Sequence, residues 1–371
     1  MSDSNPSQPA SSLVSASIVD EWSHLIPAPD CTAFIAACIE AEADDQRLQA
    51  VLSCYFSTWK TSLMGDDLKR LQMLATDVQI RNYVKVIHLE DDTDEFGERP
   101  SSESDIIWPR HEDGQVITKA LGVELLNSML AAQQLCPHRL EIKDKYPEVE
   151  TSDPEIAAIL MRDILDGADL AGQGKRFSIL QKANLRLCRN LISDSYWADQ
   201  ILFHAPVLKE LKLSFSKLHN VGNTPSLIVH STALPVPALE KLELYKGRLS
   251  VQSIMAILSN SKQSLTGISI RTITLSTNST WAELLSRLHR EFPNLTWFKL
   301  EFLFEGPRSE IQLRFPGIDK DSAVGELYTN GLTVVKRGPV GARRIPGVEY
   351  RGRDASHVLR IVSEYAVAVL K

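Results

Sequence analysis

Pro206-Val207-Leu208-Lys209-Glu210-Leu211-Lys212-Leu213 decides how the chain folds. Its leucines follow the pattern Leu-x-x-Leu-x-Leu. The chain repeats it as Pro237-Ala238-Leu239-Glu240-Lys241-Leu242-Glu243-Leu244, as Ser264-Leu265-Thr266-Gly267-Ile268-Ser269-Ile270, and as Pro293-Asn294-Leu295-Thr296-Trp297-Phe298-Lys299-Leu300. The anchor leucines stand at 208, 239, 265 and 295, so the steps are 31, 26 and 30 residues. Side chains alternate across an extended strand, so the last two apolar residues of each copy share one face. Helical spacing precedes three of the copies, over 196–204, 251–258 and 281–292.

A fixed apolar pattern at steps of this size is the mark of a leucine-rich-repeat solenoid. The expected fold class is therefore α/β: helix–strand repeats whose strands stack into a parallel, concave sheet with helices on the other side. Regular repeats of this kind carry Asn or Cys three residues past the last Leu. Here Ser216, Gly247, Ile273 and Leu303 stand there, so the expectation is an irregular solenoid with poorly matched turns. The residues between and after the core positions should face outward. They are His88, Glu90, Glu141, Lys143, Lys212, Ser214, Glu243, Tyr245, Ser269, Arg271, Lys299 and Glu301. Lys212, Ser214, Glu243, Tyr245, Ser269, Arg271, Lys299 and Glu301 are the predicted partner-binding residues. Both charge signs are mixed among them, which suits an extended polar protein epitope rather than a small apolar ligand.

Working outward, residues 83–89 read as the first strand copy, with Val84, Ile87 and Leu89 as core positions, and residues 136–142 as the second. Residues 176–180 are strand-like, with 183–187 attached to the same unit. Helices are expected over 116–135 and 153–170, the latter capped by Asp153 with Pro154 at its first position. Residues 220–237 have no helical spacing and read as a long loop with room for an extra strand. Between repeats lies an acidic loop, 90–113, with ten acidic residues against two basic ones. The segment 331–371 holds eight basic and three acidic residues. It predicts strands at 332–335 and 348–350. Asp354 then caps a final amphipathic helix carrying Val358, Leu359, Val362, Tyr365, Ala366 and Val369. A solenoid must cover its last apolar face, so this segment is the expected C-terminal cap. The solenoid proper spans 64–330.

Upstream, residues 1–17 are Ser-, Pro- and Ala-rich and predict a disordered tail. Residues 18–63 predict a small helical module. Phe34, Ile35, Cys38 and Ile39 share one helical face, and Leu48, Val51, Leu52, Tyr55 and Phe56 another. Gly65-Asp66-Asp67 opens the next helix, with Leu68, Leu71, Leu74 and Ala75 as its apolar side.

The net charge of −7, from 40 basic and 47 acidic residues, argues against a nucleic-acid partner. Five scattered cysteines without a Cys-x-x-Cys fit neither a disulfide framework nor a zinc site, and point to the cytoplasm or nucleus. No apolar run is long enough to span a membrane, and residues 1–17 lack the features of a signal peptide. Gly172-Gln173-Gly174-Lys175 is not a phosphate loop: Asp169 stands where its first Gly belongs, and Arg176 where Ser or Thr would bind magnesium. No metal-ligand pair of histidines and no nucleophile elbow occurs. The expectation is a protein that is not an enzyme and carries no cofactor or metal.

Three stretches resemble the fungal F-box and leucine-rich-repeat family. Leu48-Gln49-Ala50-Val51-Leu52-Ser53-Cys54-Tyr55-Phe56 is similar to the second half of an F-box. Asp66-Asp67-Leu68-Lys69-Arg70-Leu71 through Ile80 to Leu89 resembles the linker helix and first strand that follow it. The repeat array is the third, with Val348-Glu349-Tyr350-Arg351-Gly352-Arg353-Asp354 also familiar from the family. The opening Leu-Pro and acidic residue of an F-box are replaced by Leu25-Ile26-Pro27, with Asp30 offset, so the F-box is degenerate. The resemblance implies the substrate receptor of a cullin-RING (SCF-type) ubiquitin ligase. Leu48, Val51 and Leu52 would bind the adaptor subunit, and the concave repeats an unknown substrate protein. The alternative is a leucine-rich-repeat scaffold without ligase coupling.

Overall fold

The structure, a computed structural model, describes residues 22–26, 28–41, 44–61, 65–90, 126, 129–130, 134–143, 177–187, 201–202, 204–215, 237–276, 279–306, 308–318, 325–337 and 344–370. The expected tail 1–17, the helix at 153–170, the acidic loop past Glu90 and the long loop as far as 236 lie outside them. The chain divides into two compact units, Met1–Ile87 with Thr93–Met129, and His88–Asp92 with Leu130–Lys371.

The first unit opens with α1 (Ala28–Ala41), whose Pro29 sits in the first turn, where a missing N–H costs nothing. Asp44 then caps α2 (Asp45–Phe56) by accepting from the Gln46 and Arg47 amides. Phe34, Cys38 and Ala41 of α1 are buried, and so are Leu48, Leu52 and Phe56 of α2, each set at helical spacing. Phe34 meets Phe56 edge-on at 5.7 Å, and Phe56 stacks on Trp59 at 6.3 Å. Ile39, expected beside Cys38 in the core, is 63% exposed. The helical module expected over 18–63 stops short: Thr58–Thr61 is a strand, β1. Its Thr and Trp residues favour extended backbone, and only Trp59 and Thr61, two apart, turn inward. α3 (Gly65–Thr76) buries Leu71, Leu74 and Ala75. Trp22 reaches the turn after it, donating to Asp77 at 2.7 Å. β2 (Val86–Glu90) begins in the first unit and passes into the second at His88; Val84, Ile87 and Leu89 are buried as the repeat pattern requires.

The second unit is built on β3 (Arg139–Lys143), β4 (Lys182–Leu187), β5 (Glu210–Phe215), β6 (Lys241–Leu249), β7 (Gly267–Leu275) and β8 (Trp297–Glu301). They pair in chain order, every pair parallel. The register brings the sequence repeats into rows. Ala183, Leu211, Leu242, Ile268 and Phe298 form one row, and Leu185, Leu213, Leu244, Ile270 and Leu300 the next. All ten are buried. At roughly 1.5–3 kcal/mol for each large side chain, these rows hold the stack together. α4 (Val251–Ile257) and α5 (Trp281–Glu291) stand in the two crossovers flanking β7, capped by Ser250 and Thr280. The Trp281 indole N–H donates to the Phe304 carbonyl at 2.9 Å, pinning α5 to β9 (Phe304–Glu305). β10 (Ile311–Arg314) runs antiparallel to β9. α6 (Gly325–Thr329) leads into β11 (Leu332–Arg337).

Past β8 the sheet continues with antiparallel strands of the segment 331–371. β12 (Arg344–Arg351) pairs antiparallel with β8 on one side and with β11 on the other. α7 (Ala355–Glu364) packs beside α5, with Ser356 donating to the His289 carbonyl at 2.7 Å. Asp354 holds the N-cap position but makes no capping bond. Ala366 and Val369, read as helical, lie beyond α7. Val367–Leu370 is strand β13, paired antiparallel with β10. A short run of alternating Val and Ala satisfies both periods, and here the pairing wins.

Two further expectations change. Residues 177–179 form a turn, not a strand, closed by the Leu180 amide on the Phe177 carbonyl. Phe177 and Leu180 are both buried, and spacing of three on one side needs a turn. The strand is β4, and Leu180-x-x-Ala183-x-Leu185 is the repeat copy, with Ala in the second Leu place. The turns are also well matched. One carbonyl per turn accepts the next turn's two strand-entry amides: His138 from Gln181 and Lys182, Gln181 from Lys209 and Glu210, Lys209 from Glu240 and Lys241, Glu240 from Thr266 and Gly267, Thr266 from Thr296 and Trp297. Side chains reinforce this line, with Ser264 on the Leu239 carbonyl and Asn294 on that of Gln263. The places where Asn was missed hold core instead: Ile273 and Leu303 are buried.

Candidate interaction surface

The rows of leucine leave the opposite side of each strand to polar residues, and the register assembles these into columns. The first column runs Arg139, Lys182, Glu210, Lys241, Gly267, Trp297, Arg351. The second runs Glu141, Asn184, Lys212, Glu243, Ser269, Lys299, Glu349. The third runs Ser214, Tyr245, Arg271, Glu301. The predicted partner-binding residues thus do come together on one face.

Their depths differ from the expectation. Lys212 and Arg271 are exposed, and Ser214, Glu243, Tyr245 and Lys299 half-buried. Ser269, Glu301 and Glu141, expected on the surface, are buried. Ser269 is short, and its register partners on the two sides, Glu243 and Lys299, are long. Glu301 is drawn down by two cations, Arg271 at 2.8 Å and Lys299 at 3.2 Å. Glu141 is held by Arg139 and by His88 at 2.9 Å. The side chains of Glu90 and Lys143 lie outside the description.

Cross-strand ion pairs lace the face. Lys182 and Lys241 flank Glu210 at 3.0 and 3.4 Å, and Lys212 lies 3.8 Å from Glu243. Burial opposes the charge on Glu210, but the two lysines outweigh it and keep its pKa below the usual value. Glu349 collects three donors: Lys299 at 2.9 Å, Arg351 at 3.0 Å and the Trp297 indole at 3.1 Å. Burial again opposes ionisation, and those hydrogen bonds overcome it, bringing the pKa to about 2. Gly267 makes room here, since a Cβ would come 2.8 Å from the Trp297 ring. Arg351 lies over that ring at 5.5 Å, and Arg271 and Lys246 lie over Tyr245 at 5.4 and 4.8 Å.

Sequence reasoning missed Lys182, Glu210, Lys241, Trp297, Glu349 and Arg351. Period-two alternation extended two residues toward the N-terminus of the recognised strands would have found three of them: Glu210, Lys241 and Trp297. Glu349 and Arg351 sit on an antiparallel strand without the leucine pattern; the strand expected at 348–350 turns Glu349 away from Val348 and Tyr350, but only the pairing with β8 puts both residues in the columns.

In the first unit, Leu48 and Leu52 are buried and Val51 is half-buried. Two of the three predicted adaptor-binding residues therefore serve the unit's own core. Ile39 and Val78 are the large apolar side chains it leaves most exposed among the described residues. Among the described residues no group of three or more His, Cys, Asp and Glu could hold a metal ion, and no helix is long and apolar enough to cross a membrane. Comparison of the chain with protein-family models and with curated proteins finds no match.

Proposed function

We propose that the chain is a protein-interaction module of the leucine-rich-repeat solenoid type, acting as the substrate receptor of a cullin-RING (SCF-type) ubiquitin ligase. The carrying observation is the set of in-register polar columns standing opposite the leucine rows. Such an array offers a broad, laterally braced surface to a protein and no concentrated chemistry. In this reading the segment 18–63 docks on the ligase adaptor and the columns hold the substrate protein.

Burial of Leu48 and Leu52 supports a second reading, a repeat scaffold without ligase coupling. Aspartate at either position would disrupt the core and test only folding. Ile39 and Val51 are the better probes, because one is exposed and the other half-buried. The receptor reading expects the full chain to capture the purified adaptor subunit at stoichiometric concentration. Ile39→Asp with Val51→Asp should abolish capture while the circular dichroism of the chain stays unchanged. No capture by the wild-type chain leaves the scaffold.

A further inference from the structure

Charge on the sheet face is layered by depth. The side chains of Lys182, Lys212, Lys241 and Arg271 are 45–49% exposed, and that of Arg351 is 73% exposed. The carboxylates that pair with them lie lower: Glu301 is 9% exposed, Glu349 18% and Glu210 33%. Glu243, at 42%, is the one that stands as high as its lysine. A visitor to this face meets ammonium and guanidinium groups first. Each lysine has three donor hydrogens, and its carboxylate neighbour takes only some of them.

We propose that this face binds an extended acidic segment of a partner protein, lying across β4 to β8 with its carboxylates on the projecting Lys and Arg side chains. The inference rests on the reading of the columns as a partner surface and adds the chemistry of the partner. Charge complementarity carries it. Lys212 aside, the cations project while their counter-charges are sunk, so the face is positive toward a ligand although the whole chain carries −7. That overall negative charge repels a nucleic acid, whose many phosphates reach well past the face; a short acidic peptide is confined to the columns. The strand spacing suits it. A segment crossing the sheet meets a new turn about every 4.8 Å, and alternate residues of an extended peptide lie roughly 7 Å apart, within reach of long Lys and Arg side chains.

The test is fluorescence anisotropy with the full chain and three labelled probes: a peptide alternating Glu and Ser, the matching Lys and Ser peptide, and a single-stranded oligonucleotide. The Glu peptide should bind best, more weakly as salt is raised. Replacing Lys182, Lys212 and Lys241 together by Gln should weaken it at least about tenfold. Replacing the same three by Arg should preserve binding, which separates charge from folding. Replacing Lys209 and Lys262 by Gln should change nothing: both are cations of similar exposure that lie off the columns. Preference for the oligonucleotide overturns the proposal, as does Glu-peptide binding that survives the triple Gln variant. Capture of the Lys peptide by the same face, lost in the triple variant, overturns the acidic preference and leaves the partner surface standing. Absence of binding by either peptide counts against both.

Discussion

At the scale of the residue, Glu349 shows how the cap strand and the last repeat are fastened through one carboxylate. Its folded pKa of about 2 lies below the unfolded value of about 4.3. A depressed carboxylate contributes stability above its unfolded pKa and loses it as pH falls toward the folded one. Glu349→Gln should therefore cost on the order of 1–2 kcal/mol near neutrality, once solvent screening of the half-buried site is allowed for. The wild-type advantage should shrink between about pH 4.5 and pH 2, and urea midpoints of both proteins across that window measure it. A constant advantage at all pH values would mean that the loss came from packing. A cysteine pair tests burial in the first unit. Burial pushes the Cys38 thiol up to about 11, so at about pH 8 only roughly one molecule in a thousand carries the thiolate. Cys54 is exposed. Alkylation of the native chain read by mass spectrometry should modify Cys54 early and Cys38 only on unfolding; early modification of Cys38 would contradict the packing of α1 on α2.

At the scale of the element, three successive turns share one backbone feature. Lys246, Thr272 and Phe302 follow register partners Tyr245, Arg271 and Glu301, and all three have left-handed backbone, with φ of 54°, 56° and 51°. None is Gly or Asn, the residues that take this conformation at low cost. Thr272 is the most strained, because its branched Cβ crowds the backbone there. Thr272→Asn should stabilise the chain by about 0.5–1 kcal/mol, seen as a higher thermal midpoint. A lower midpoint would show that the threonine side chain makes a contact worth more than the strain. These positions also mark where sequence reading stops. Leu-x-x-Leu-x-Leu gave β5, β6, β7 and β8 because large apolar residues, Leu, Ile or Phe, filled every slot. β4 was hidden because Ala183 fills one of them. Directions on the face were legible from alternation; depth was not, since Ser269 and Glu301 are buried beside neighbours that only the register supplies. The carbonyl line joining the turns involves backbone alone, so the missing Asn positions pointed the wrong way.

At the scale of the molecule, strands β3 to β8 of the second unit pair in chain order, each with the next. β4 touches β3 and β5, β5 touches β4 and β6, and β8 is closed by β12. Stability in such an array is close to a sum of nearest-neighbour terms, so a defect in the cap should be felt first by the last turn. Gly347 shows how close that joint is: a Cβ there would come 2.6 Å from the Leu300 carbonyl. Leu359 is the more informative place to cut, because it is fully buried in α7 and its loss leaves the strand pairing intact. Leu359→Ala should cost about 2–4 kcal/mol by opening a cavity at the joint. Hydrogen exchange followed by mass spectrometry then locates the damage. Amides of β8 and β12 should lose protection well before those of β4 and β5, because the carbonyl line transmits order only from one turn to the next. Equal acceleration in all four strands would show that the unit unfolds as one block, and that the cap stabilises the array as a whole rather than its final turn.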